Sequence, residues 1–100
     1  MDNLIETVKE IFNEKSEAGC CAYVHITLHR VMDYVTLWEE YSILQEENSF
    51  SIKGVINEEP QTLLIDFDKI IDMEVCRDKN GICVSVKFLF EYAQIVFDFI

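Results

Sequence analysis

Hydrophobic residues recur along the chain with two different periods, and each period predicts a different kind of element. Near the N-terminus the apolar residues are spaced three and four apart: Ile5, Val8, Ile11 and Phe12. This spacing is typical of one face of an amphipathic helix. Asn3 is a suitable N-cap, Glu6 follows it three residues later as in a capping box, and Gly19 is a suitable stop. We therefore predict a helix over residues 2–17.

After Gly19 the period changes to two, which predicts β-strands. Apolar and polar residues alternate over residues 22–28. Further strands are predicted over residues 41–46, 50–56, 62–67, 70–77 and 82–90. Residues 31–39 fit a helix and a strand equally well, so that segment is left open. Residues 92–100 also fit both patterns, but their aromatic and β-branched side chains favour a strand.

The middle of the chain carries a turn that shapes the predicted sheet. Residues 57–60 contain Asn, two Glu and Pro, and we expect Pro60 to stay out of the strand ladder because it lacks an N–H. The order of strands and turns over residues 50–75 is similar to that of many small barrels, including Sm-like and pleckstrin-like domains. The resemblance lies in the pattern and in no specific motif.

A second turn fixes the pairing of the two strands around it. The Asn80-Gly81 dipeptide is favoured in two-residue hairpin turns. Such a turn places Glu74 opposite Lys87, which is an attractive cross-strand pair. In that register Cys76 and Cys83 are diagonal neighbours, so we predict no disulfide between them.

The composition supports a folded domain built from these elements. Half of the 100 residues are hydrophobic and 12% are aromatic, which is enough for a core, and the length fits a single domain over residues 1–100. We predict an α+β fold in which an N-terminal amphipathic helix packs on a bent antiparallel sheet or small open barrel.

The net charge of −11 restricts the partners of such a domain. Its field opposes direct binding to nucleic acid and to anionic membranes, and it attracts a basic protein. No apolar run approaches the roughly 20 residues of a membrane span. No export signal is evident, and the four cysteines are not needed as staples. We therefore expect reduced thiols and a cytoplasmic protein.

Candidate chemistry is sparse, so we predict no catalytic residue, no cofactor, no metal and no enzymatic activity. His25 and His29 lie about 13 Å apart on a strand, too far to share a metal ion. The run over residues 66–74 is rich in carboxylates but lacks the glycine and spacing of a calcium loop. Nucleophile, phosphate-loop and dinucleotide motifs are absent.

The acidic residues are the remaining candidates for function. The predicted partner-binding residues are Glu6, Glu10, Glu14, Glu39, Glu40, Glu46 and Glu47. A row of carboxylates one helical turn apart, as on residues 6–14, costs stability. Its spacing of about 6 Å is close to the roughly 7 Å between phosphates of an extended strand. This pattern favours a binding protein of the immunity-protein or phage-inhibitor class that mimics nucleic acid on a basic protein.

An alternative function uses apolar rather than acidic side chains. The chain would then be a structural or self-associating β-barrel-like interaction domain, and a homodimer is one form of it. We expect exposed Tyr23 and Trp38 to anchor that interface, because large aromatic residues dominate the energetics of interfaces.

Overall fold

A computed structural model describes residues 2–30 and 32–100, and within them one helix and eight strands. In chain order the elements are α1 (Asp2–Glu17), β1 (Ala22–Leu28), β2 (Met32–Trp38), β3 (Glu40–Gln45), β4 (Ser49–Ile56), β5 (Glu59–Asp66), β6 (Ile70–Arg77), β7 (Cys83–Phe90) and β8 (Ala93–Phe99). The helix agrees with the predicted range 2–17, and the α+β class is confirmed.

The strands form two antiparallel sheets. The larger has five strands in the order β2-β1-β8-β7-β6, and the smaller has three in the order β3-β4-β5. The chain passes from the large sheet to the small one at Glu39, and it returns over residues 67–69. The strands therefore pair as two sheets where we expected one bent sheet or an open barrel, and the described strands close no barrel.

Helix α1 buries its predicted apolar stripe and ends at Glu17, two residues before the predicted stop at Gly19. The four residues of that stripe are all buried: Ile5, Val8, Ile11 and Phe12. The helix begins at Asp2, so Asn3 lies in its first turn rather than at its cap. Gly19 has a φ of 74°, a left-handed conformation that glycine adopts without steric cost and that commonly ends helices.

The core between α1 and the two sheets is rich in aromatic rings. Phe12 contacts Phe97 and Phe99 of the large sheet edge-to-face, with ring centroids 4.9 and 5.4 Å apart. It also meets Tyr41 of the small sheet at 6.0 Å. Phe50 of the small sheet in turn packs against Phe88 of the large sheet at 6.3 Å. Phe12 of the helix thus contacts both sheets, and Phe50 and Phe88 add a direct contact between them.

The two ambiguous segments are both strands. Residues 32–38 form β2 at the edge of the large sheet, paired with β1, while Val31 of the predicted segment lies outside the described residues. Residues 93–99 form β8, which lies between β1 and β7. As a strand between β1 and β7, this segment pairs with the backbone N–H and C=O groups of both neighbours, which a helix here would leave without these partners.

The β4–β5 turn differs from the expectation. It is a two-residue turn, with positive φ angles of 50° at Asn57 and 68° at Glu58. Pro60 was expected outside the ladder but lies in β5, opposite Val55. Because β5 is an edge strand of the small sheet, a residue without an N–H is tolerated there.

The β6–β7 hairpin keeps its predicted register but not its predicted turn. Glu74 pairs with Lys87 as expected. The predicted two-residue turn is wrong: the Gly81 N–H bonds to the Asp78 carbonyl, and the Asp78 N–H bonds to the Ile82 carbonyl. A bulge after the pair Cys76–Ser85 then restores the register, because it compensates for the extra turn residue. All four cysteines of the chain are free thiols.

A close approach of two residues gives a test of the contact between the sheets. A Cβ added at Gly54 in β4 would overlap the Trp38 ring at Cε3, with Cζ3 and Cδ2 at 2.6 and 2.7 Å. Phe97 packs edge-to-face on Trp38 at 5.7 Å, so the ring can yield only by loosening this contact. We expect Gly54→Ala to lower the free energy of unfolding by about 3 kcal/mol, measured by urea denaturation.

The control for this variant is Gly19→Ala. It meets no atom within 4 Å and carries only the strain of a positive φ, which costs about 1 kcal/mol. If the two variants lose the same stability, the Trp38–Gly54 contact does not limit this position.

Candidate functional site

Helix α1 and strand β3 lie side by side and run in opposite directions. The Ser16 hydroxyl near the end of the helix donates to the Tyr41 carbonyl at the start of β3, at 2.8 Å. Lys9, about two helical turns before it, donates to the Gln45 side chain at the end of β3, at 3.1 Å. The structure therefore places the helix that carries the predicted acidic row alongside the strand at whose two ends the other predicted glutamates lie.

The carboxylates of the helix lie on its solvent face. Glu6, Glu10 and Glu14 are all exposed, since the opposite face of α1 enters the core. Lys9 forms an ion pair with Glu6 at 3.2 Å. None of the ion pairs found between described residues involves Glu10 or Glu14. No cation in these ion pairs therefore offsets the repulsion between the Glu10 and Glu14 carboxylates.

The acidic residues at the start of β3 lie beside an additional one from the β4–β5 turn. Glu39, Glu40 and Glu58 line a surface cleft of 590 Å³. They meet there because Glu40 pairs with Val55, three residues before Glu58. Glu58 was not among the predicted partner-binding residues. The signal in the sequence was the acidic turn over residues 57–60, but its proximity to Glu39 depends on the pairing of β3 with β4.

The acidic residues after β3 lie in the β3–β4 turn. Glu46 and Glu47 are exposed, and the Glu46 N–H donates to the Ser49 carbonyl at 2.8 Å, which closes the turn. We call the predicted residues together with Glu58 the α1–β3 acidic surface: Glu6, Glu10, Glu14, Glu39, Glu40, Glu46, Glu47 and Glu58.

Three lysines near this surface reduce its charge only locally, and one of them, Lys9, is paired with Glu6. Lys53 of β4 lies beside Glu40 in a shallow depression that Ser16 also lines. Lys15 lies with its ammonium 5.9 Å from the centre of the Phe99 ring, a cation–π distance. The surface therefore stays strongly negative, with eight carboxylates against Lys9, Lys15 and Lys53.

Tyr41 holds the end of the helix to β3 from below this surface. Its hydroxyl donates to the Cys20 carbonyl at 2.7 Å, just after the helix end. Burial raises the pKa of the Tyr41 phenol well above its ordinary value, and the neighbouring Cys20 and Cys21 add to the rise. Burial likewise raises the pKa of the Cys83 thiol, which favours its neutral form.

The other charged clusters considered from the sequence have structural partners. His25 lies 2.9 Å from Asp98 on the outer face of the large sheet. In the acidic run, Asp66 accepts the Asp68 N–H at 2.9 Å, and Asn48 donates to Asp68 at 2.7 Å. Over residues 2–30 and 32–100 no group of three or more His, Cys, Asp or Glu side chains is placed to hold a metal ion.

The two predicted aromatic anchors are in different environments. Tyr23 is 42% exposed on the outer face of the large sheet, as the alternative function requires. Trp38 is 2% exposed, so the expectation that it anchors an interface is wrong. Its position at the end of β2 carries the side chain over Gly54 and into the space between the sheets.

No family model, curated protein or solved structure compared with the chain matches it. Among the described residues, no helix has the length and the apolar character needed to cross a membrane.

The burial of Tyr41 gives a pH test of the helix–β3 junction. Its folded pKa lies above the ordinary 10.0, so the folded state keeps the phenol proton that the unfolded chain releases. The stabilisation is present below about pH 10 and is lost as the pH rises, by up to about 1.4 kcal/mol per pH unit. We expect Tyr41→Phe to lack this loss, in chemical denaturation measured from neutral pH to pH 11.

At neutral pH the same variant should lose about 1 kcal/mol, because it removes the bond to Cys20. If the free energies of unfolding of the wild-type chain and of Tyr41→Phe fall in parallel above pH 10, the fold does not hold the Tyr41 phenol neutral.

Proposed function

We propose that the protein is a non-enzymatic binding protein that docks on a basic protein through the α1–β3 acidic surface. The observation that supports this is the alignment of α1 with β3. The helix that carries Glu6, Glu10 and Glu14 contacts β3, and Glu58 of the β4–β5 turn shares a cleft with Glu39 and Glu40. These residues come from segments far apart in sequence, so their proximity is a property of the fold.

The electrostatics of this surface suit recognition of a cationic partner. Carboxylates that repel one another at a cost to stability gain free energy when lysine or arginine side chains approach them. The electrostatic field of a chain with a net charge of −11 also accelerates its encounter with a cationic partner, most strongly at low salt. On the helix, carboxylates about 6 Å apart can occupy a groove built for phosphates, as in an immunity protein or phage inhibitor that mimics nucleic acid.

The free thiols bear on the cellular compartment in which the protein would carry out this function. All four cysteines are unbridged, and Cys20 and Cys21 are half-buried beside the helix end. We propose the cytoplasm as the compartment, because reducing conditions keep such thiols free.

A charge-reversal pair tests the surface itself rather than the net charge. The variant Glu10→Lys with Glu14→Lys changes the charge of α1 without touching the Lys9–Glu6 pair. The probe is a synthetic peptide of alternating lysine and arginine, with its affinity for the full chain measured calorimetrically at low salt. We expect affinity to fall about tenfold beyond the control, since several charge pairs of up to about 1 kcal/mol each are reversed.

The matched control is Asp33→Lys with Glu91→Lys, two exposed acids outside the acidic surface. It changes the net charge by the same amount. Equal losses in the two double variants, or no binding of the peptide to the wild-type chain, would contradict the proposal.

A second candidate function rests on the outer face of the large sheet, which no other described element covers. Tyr23 lies opposite Leu37, and Val35 lies opposite His25, so three exposed apolar side chains adjoin there. Exposed apolar patches mark interaction surfaces when they are contiguous. This face supports self-association as the alternative to docking on a basic partner.

Sedimentation equilibrium separates the two functions. A dimer built on this face should persist in about 1 M salt, where exposed charges are screened, and Tyr23→Lys should dissociate it. A chain that sediments as a monomer at high concentration and at both low and high salt excludes the alternative.

A further inference from the structure

A cavity lies between the two sheets, away from the helix. It measures 390 Å³, within the range of small-molecule sites. Ile26, Tyr34 and Thr36 of the large sheet form one wall, and Ile56 and Leu63 of the small sheet form the other. The sheets part at this point because no ladder joins β1 and β2 to β4 and β5.

Trp38 borders this cavity and carries a polar group without a partner. Its Nε1 is shielded from solvent, and no acceptor among the described residues receives its N–H. A buried donor left without an acceptor is rare in native proteins because it forfeits its hydrogen bond to water. The edge of the ring that holds Cε3 and Cζ3 lies on Gly54, so the edge that holds Nε1 faces away from Gly54.

The remaining lining residues define the chemistry that the cavity accepts. Polar side chains come from the β4–β5 turn and from β5: Asn57, Glu59, Gln61 and Thr62. Among the described lining residues Glu59 is the one charged group, and no lysine, arginine or histidine lies there. Together with the net negative charge of the chain, this disfavours an anionic ligand.

We propose that this cavity binds a small, flat, uncharged molecule that carries a carbonyl-type hydrogen-bond acceptor. The apolar walls formed by Ile26, Ile56 and Leu63 hold the ring of the ligand. The Trp38 N–H donates to its acceptor. Because Nε1 is shielded in this structure, binding requires the indole edge to shift into the cavity. The site is separate from the α1–β3 acidic surface, so it does not depend on the docking function.

The chain offers a direct readout because Trp38 is its single tryptophan. One indole N–H signal is therefore expected in a ¹H–¹⁵N correlation spectrum of the full chain. The probes are benzamide and benzoate, which share a ring and differ in charge. We expect benzamide to move the indole signal downfield in a saturable manner, and benzoate at the same concentration to leave it unchanged.

Two Thr→Phe variants locate the binding of benzamide. Thr36→Phe fills the cavity and should abolish the shift, while Thr27→Phe is the matched control. Thr27 lies on β1 one position from Ile26, so its side chain is on the opposite face of the sheet. If Thr36→Phe does not fold, as judged by circular dichroism, Gln61→Phe at the exposed rim takes its place.

Trp38→Phe tests the N–H itself and keeps an aromatic ring in place. Binding of benzamide, followed by saturation-transfer NMR on the ligand, should weaken about fivefold, the usual effect of one hydrogen bond. Unchanged affinity would show that the indole N–H does not bond to the ligand and would overturn its part in the proposal. Equal shifts with benzamide and benzoate, equal shifts in both Thr→Phe variants, or no shift with benzamide would overturn the proposal.

Discussion

Packing of side chains between two sheets that share no ladder is the constraint on which this fold depends. Phe12 of α1 contacts Phe97 and Phe99 of the large sheet and Tyr41 of the small sheet. Trp38 reaches from the large sheet onto Gly54 of the small one. Hydrogen bonds hold each sheet together, but burial of these rings holds the sheets to each other, and burying an aromatic side chain stabilises by about 2–3 kcal/mol.

The same packing explains why the acidic residues are where they are. Since the inward face of α1 and the space between the sheets are filled by apolar side chains, the surplus of carboxylates lies outside. Their arrangement follows from the bonds of Ser16 and Lys9 to β3, which align the helix with that strand. The negative charge of the surface thus depends on an interior that is filled by uncharged, largely aromatic side chains.

The proposed small-molecule cavity lies where the two sheets separate. A closed barrel would pair β2 with a strand of the small sheet and would fill the space beside Trp38. In this fold the chain instead bends at Glu39, so the inner faces of β1 and β2 diverge from those of β4 and β5. The cavity and the unpartnered indole N–H lie in the same part of the fold, because Trp38 is one of the residues that line the cavity.

The sequence by itself determined the elements whose signals are local. The spacing of Ile5 to Phe12 predicted the helix. The register of β6 and β7 was predicted from a two-residue turn that does not form, and it holds at the Glu74–Lys87 pair because a bulge compensates for the longer turn. The sequence also identified the glutamates, because charge can be read without a fold. Only the tertiary structure decided that β8 lies between β1 and β7, that Trp38 is buried and that Glu58 joins Glu39. These outcomes depend on contacts between distant segments, and neither propensity nor period encodes which segments meet.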